Sequence, residues 1–162
     1  NAPTGMDGRG APAVRLLSRA ADPARGAEVY ASYCAACHGA DGQGARNQDG
    51  QGYLYPPLWG PDSFNSGAGM HRIITAANFI RANMPFGTSY VRPLLTEEQA
   101  FDVAAFINVQ SRPLRSHLDR DYPDRSRKPV DAPFPPHADH FSQEQHTFGP
   151  WTAMVHGHEG QR

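Results

Sequence analysis

This chain has little cysteine, almost no lysine and no long apolar run. Its 162 residues hold two cysteines, Cys34 and Cys37, which cannot supply the disulfide framework of a small secreted scaffold. Lys128 is the lone lysine among 15 basic residues, and no basic run is interleaved with aromatics. That excludes a nucleic-acid footprint. No apolar stretch approaches the roughly 18 residues of a transmembrane helix, so no membrane span is expected. An alternating strand pattern of convincing length is missing too, which points to an all-α fold.

The chain is rich in loop formers. Fifteen prolines and 16 glycines recur without a period, and hydrophobic residues make up 39% of the sequence. Long loops around a modest core follow, rather than a repeat. Residues 1–21 are weakly patterned, with Val14, Leu16 and Leu17 able to dock as a short strap. Asp22-Pro23 is a helix start, with Asp as N-cap and Pro at the first helical position. The spacing predicts a helix from Ala24 to about Ala36, with Gly26 and Tyr30 on one face.

A long loop covers residues 45–69 and carries Tyr53, Tyr55, Pro56, Pro57 and Trp59. A second helix is expected from Met70 to about Ala82, ended by Met84-Pro85. Thr96 and Gln99 form a capping box that opens a third helix, ending near Gln110. Residues 112–151 hold seven of the prolines and four of the eight histidines, and 152–162 are polar and expected to fray. The organisation read from the chain is an extension over 1–21, a domain over 22–111, a wrap over 112–151 and a tail over 152–162.

The residues with the most specific chemistry are Cys34-Ala35-Ala36-Cys37-His38. A structural zinc site needs four ligands, and no second cysteine pair is present. A thioredoxin-like pair leaves His38 unused and lacks the alternating βαβ context. Attachment of one covalent haem c uses all three side chains: two thioether anchors and a histidine facing the iron. Thioether attachment implies maturation outside the cytoplasm. The start at Asn1, without Met or an apolar leader, is that expected of a periplasmic protein after removal of a signal peptide.

The other face of the iron sets the chemistry. A methionine sulfur closes it as an electron-transfer site, whereas an open face permits ligand binding or catalysis. Met6 precedes the domain and Met154 sits in the far tail, leaving Met70 and Met84. Met84, 46 residues after His38 and pinned by Pro85, is the expected ligand; Met70 and His71 are the competitors, at a helix start. A ligating histidine donates its far N–H to a carbonyl, for which the Pro56-Pro57 stretch is suited. Trp59, Arg72 and Arg81 are the candidate partners of the haem propionates. The pairs His137/His140 and His156/His158 are weak candidates for a separate metal.

The C-x-x-C-H motif, the helix bearing Gly26 and Tyr30, Met84-Pro85 and a closing helix with Phe106 together resemble class I c-type cytochromes. That likeness implies three to five helices around one haem, with Gly26 packed against Phe106. A closer one spans Gly26 to Trp151. The stretches Pro57–Asn65, Ala76–Ile80, Asn83-Met84-Pro85, Asp121–Asp124, Lys128–Asp131 and Gln145–Pro150 are similar to the C-terminal haem domain of dihaem thiosulfate dehydrogenases. It implies an ordered proline-rich wrap. Those enzymes use an extra cysteine ligand at a second, reactive haem; this chain has no spare cysteine, and Asn83 stands where the family can place lysine.

The resemblance therefore implies a periplasmic single-electron carrier rather than an enzyme. It would be a monomer or a subunit of a heteromer, exchanging electrons with a sulfur-compound dehydrogenase subunit or a terminal cytochrome. The alternative is a catalytic haem subunit with an exchangeable distal ligand.

Overall fold

A computed structural model describes residues 13–159 of the chain; Met6 lies outside them, as do the side chains of His156 and His158. Six α-helices lie among the described residues. Asp22 caps α1 (Pro23–Tyr33) by accepting from the Ala24 and Arg25 amides. The predicted single helix through Ala36 is interrupted at Cys34, and α2 (Ala35–His38) follows as one turn ended by Gly39. The second predicted helix also divides: a 3₁₀ turn over Gly69–His71 precedes α3 (Ile73–Asn83). The capping box of Thr96 and Gln99 opens α4 (Glu97–Val109) as expected. Helices α5 (Gln143–Phe148) and α6 (Thr152–Glu159) come from the tail.

The 45–69 loop contains a short hairpin that the alternation rule overlooked. Strands β1 (Ala45–Arg46) and β2 (Tyr53–Tyr55) pair antiparallel with a bulge. Arg46 lies over the Tyr53 ring at 4.6 Å, and both side chains bond Asp62. Two residues are too short to show a period, so side-chain and turn chemistry carries this element instead.

Helices α1 and α4 cross at Gly26. A Cβ placed there would lie 1.9 Å from the Asp102 carbonyl oxygen and 2.8 Å from the Phe106 Cβ. Only a residue without a side chain permits this approach. Asp102, almost fully buried, receives a two-pronged guanidinium from Arg19 at 2.8 Å on each oxygen, and the Asp22 amide at 2.8 Å. These bonds pin the strap, whose Val14 and Leu17 are buried, across the helix crossing.

Residues of the C-terminal part of the chain pack on the helical core. Trp151 is fully buried beside Phe101, and its indole N–H donates to the His146 carbonyl at 3.0 Å. Met154, placed in sequence on a fraying tail, is 2% exposed and belongs to the core. The extension also closes on the wrap, through the Ala21 amide and the Phe148 carbonyl. A polar tail can therefore form helix where one or two apolar side chains meet an existing core.

Buried His146 joins the wrap's segments, with Nδ1 at 2.8 Å from the Val130 carbonyl and Nε2 at 2.9 Å from Asp139. His137 stacks on it at 3.5 Å between centroids, with both of its own ring nitrogens buried and without a partner among the described residues. Burial first, then the charges of His146 and Lys128 acting against Asp139, push His137 down to about 4. The fold thus favours neutral His137, and the stability this confers is complete above the unfolded value near 6.5 and lost as pH falls toward 4. His137→Phe should flatten the fall in melting temperature between pH 6.5 and pH 4 by a few degrees. A wild-type slope in the variant would contradict this.

Candidate haem site

The motif sits where two helices and the hairpin converge. Cys34 caps the end of α1, and its amide bonds the Tyr30 carbonyl at 2.9 Å. Cys37 and His38 follow on α2, and both cysteines are free and half-buried. Burial first, then the neighbouring Cys37, pushes the Cys34 thiol up to about 11. A redox-active C-x-x-C pair has the opposite tuning, toward the thiolate. The arrangement fits thioether anchorage better than thiol exchange.

His38 Nδ1 lies 2.8 Å from the Pro56 carbonyl oxygen. A carbonyl can only accept, so Nδ1 carries the proton and the Nε2 lone pair is presented outward, as iron ligation requires. Within the expected Pro56-Pro57 stretch the acceptor is Pro56; Pro57 is buried and takes no such part. Gly44 brings the motif and this stretch together. Gly44, at φ +72°, leaves no room for a Cβ, which would come within 2.1 Å of the Tyr55 oxygen. Its amide donates to the His38 carbonyl at 2.8 Å.

Trp59 packs inside the domain through its ring faces. Its indole packs with Tyr30 at 5.0 Å and Phe106 at 5.7 Å, closing an aromatic cluster over the helix crossing. Gly42, at φ +69°, is compressed beneath it, with a hypothetical Cβ 2.2 Å from the ring. Trp59 thus braces the anchor helix. The Tyr30 hydroxyl donates to the Gly39 carbonyl at 2.7 Å, tying the cluster to the end of the motif.

Met84 is the C-cap of α3, its amide bonding the Ile80 carbonyl at 2.8 Å, and its half-buried side chain packs on the core. Met70 lies in the 3₁₀ turn, where its carbonyl accepts from Asn108. His71 beside it has Nδ1 at 2.8 Å from the Ser66 carbonyl, and burial lowers its pKa. Both competitors are thus held against the end of α4.

The two arginines differ. Arg81, on the last turn of α3, has a buried Nε with no partner among the described residues. Such a donor is costly unless a ligand satisfies it, and a haem propionate has the required chemistry. Arg72 is instead bonded to Asp131 at 3.2 Å. A third arginine was missed: Arg112 bonds the Ile107 carbonyl at 2.6 Å and stacks on Phe64 at 4.3 Å. Burial pushes it down to about 10. Its signal, a lone arginine just past a helix end, is common to many solvated residues.

Among the described residues no group of three or more His, Cys, Asp or Glu side chains could hold a separate metal. An open groove of about 550 Å³ lies between Ala20–Pro23 and Phe148–Pro150, at the end of α1 opposite the cysteines. It is remote from the motif and does not belong to this site.

Comparison with known proteins agrees with this geometry. The cytochrome c family pattern matches residues 23–111. The thiosulfate dehydrogenase of Stutzerimonas stutzeri (strain A1501) is 50% identical over 114 residues, covering 69% of this chain and 36% of that one. That of Allochromatium vinosum is 50% identical over 107 residues, 66% of this chain and 38% of its own length. The chain spans about a third of the length of these curated relatives. The structure of thiosulfate dehydrogenase (TsdBA) from Marichromatium purpuratum superposes with a TM-score of 0.63 at 48% identity, covering 74% of this chain and 25% of that one. No helix among the described residues is long and apolar enough to cross a membrane. The protein belongs to the cytochrome c family: it is an electron-transfer domain with covalently bound haem c, related to thiosulfate dehydrogenases.

Proposed function

We propose that this chain is an exported one-electron carrier serving a sulfur-compound dehydrogenase, with both iron faces closed by its own side chains. The observation that carries the reading is the His38–Pro56 hydrogen bond, which fixes the tautomer a ligating histidine needs beside the two cysteines. Cys34 and Cys37 would anchor the haem, His38 Nε2 would face the iron, and Met84 would close the distal side. Arg81 would meet a propionate through its unpartnered Nε. When bound, the haem supplies one-electron Fe(III)/Fe(II) chemistry, while the chain sets ligation, burial and docking.

Periplasmic location follows from thioether maturation, and the sulfur link rests on the thiosulfate dehydrogenase relatives. The partner would be a catalytic dehydrogenase subunit or a terminal cytochrome. The test mixes ferric holoprotein with thiosulfate, alone and with catalytic amounts of the Allochromatium vinosum enzyme. The expected result is reduction only when the enzyme is present. Rapid reduction by thiosulfate alone would favour a catalytic haem subunit with an exchangeable distal ligand, and no reduction in either mixture would overturn the sulfur link.

A further inference from the structure

Helix α3 has no cap of its own. Its N-cap residue, Arg72, makes no side-chain capping bond. A carboxylate from the wrap, 57 residues further along, takes that place: Asp131 accepts from the Ile74 amide at 3.0 Å and from Arg72 Nη1 at 3.2 Å. Asp131 is 2% exposed, and Ala132 beside it is fully buried. On its other side the Val130 carbonyl is held by His146. The carboxylate is thus fixed from within the wrap while it satisfies one of the free amides at the positive end of α3.

The same helix ends on Met84. Ile73, Ala76, Ala77 and Ile80 are buried along its length, so a shift at its start is transmitted to its end as a rigid displacement. The Val14 amide donates to Asn78 midway along, at 2.8 Å. Both chain extensions therefore grip this helix, and the carboxylate end of the Asp131 bonds is buried, so its loss leaves the Ile74 amide short of a partner.

We propose that Asp131 is a positioning residue for the distal ligand: through Arg72 and the first turn of α3 it holds Met84 at the iron. The proline-rich wrap then acts as a clamp on axial ligation. This rests on reading Met84 as the distal ligand. It also gives Arg72 a role other than binding a propionate.

The test measures cyanide binding to the ferric holoprotein, which requires the distal ligand to leave, and the near-infrared band of the Met–Fe(III) bond during heating. Asp131→Ala should accelerate cyanide binding roughly fivefold, the equivalent of one net hydrogen bond, and lose the band below its unfolding temperature. Asp131→Asn, which keeps an acceptor for the Ile74 amide, should fall between, and serves if the alanine variant fails to fold. Asp102→Ala removes an equally buried carboxylate from the α1–α4 crossing; it should lower the melting temperature and leave the cyanide rate unchanged. Wild-type cyanide rates in both Asp131 variants would overturn the proposal. If Met84→Ala retains the native band, the ligand reading itself fails and the proposal falls with it.

Discussion

Met84→Ala should abolish the near-infrared Met–Fe(III) band, while Met70→Ala leaves it intact. Both methionines are half-buried and pack on the core, so loss of apolar volume is a comparable perturbation at the two sites. Their settings differ. Met84 caps the end of α3, whereas Met70 belongs to a turn bonded to Asn108 on α4. Removing a thioether ligand should also lower the reduction potential by on the order of 100 mV or more, within the roughly 0.8 V that axial ligands command. Potentiometric titration of both variants checks the assignment. The reverse pattern, with the band lost in Met70→Ala, would reassign the ligand.

Gly26→Val should be the most damaging single change in the scaffold. A Cβ at this position falls 1.9 Å from a backbone oxygen on α4, and backbone cannot rotate aside as a side-chain tip can. The helices must separate, which disturbs the Tyr30–Trp59–Phe106 cluster and the Arg19–Asp102 bonds next to it. Overpacking of this kind costs about 3 kcal/mol or more. In a domain of this size that lowers the melting temperature by roughly 6–12 °C. Because α1 ends on Cys34, the yield of covalently attached haem should fall as well. Thermal unfolding and the haem-to-protein absorbance ratio read the two effects, and a wild-type melting temperature would contradict the crossing described here.

Much of the scaffold was legible because its signals are local. Asp22-Pro23 and the Thr96/Gln99 box each specify a helix start within four residues, and both structures follow. The C-x-x-C-H motif is local in the same sense. Its supporting carbonyl was narrowed to two prolines, and the hairpin decides for Pro56. What escaped depends on partners distant in sequence. Asp131 caps a helix 57 residues away, and Asp102 holds a strap 83 residues earlier through Arg19. The packing of Trp59 against Gly42 and Phe106 escaped for the same reason, since no local pattern links these positions. The tail helix was missed because composition sees its polar residues, whereas Trp151 and Met154 supply its contact with the core.

In the proposed reading the chain closes both faces of its haem and carries electrons without binding substrate at the iron. Carbon monoxide binding to the native ferrous holoprotein tests it most directly, because carbon monoxide needs a vacant or readily vacated position. An unchanged ferrous spectrum is expected on the time scale of mixing, with rapid binding appearing only in Met84→Ala. Rapid carbon monoxide binding to the native protein would contradict it and point to a catalytic haem.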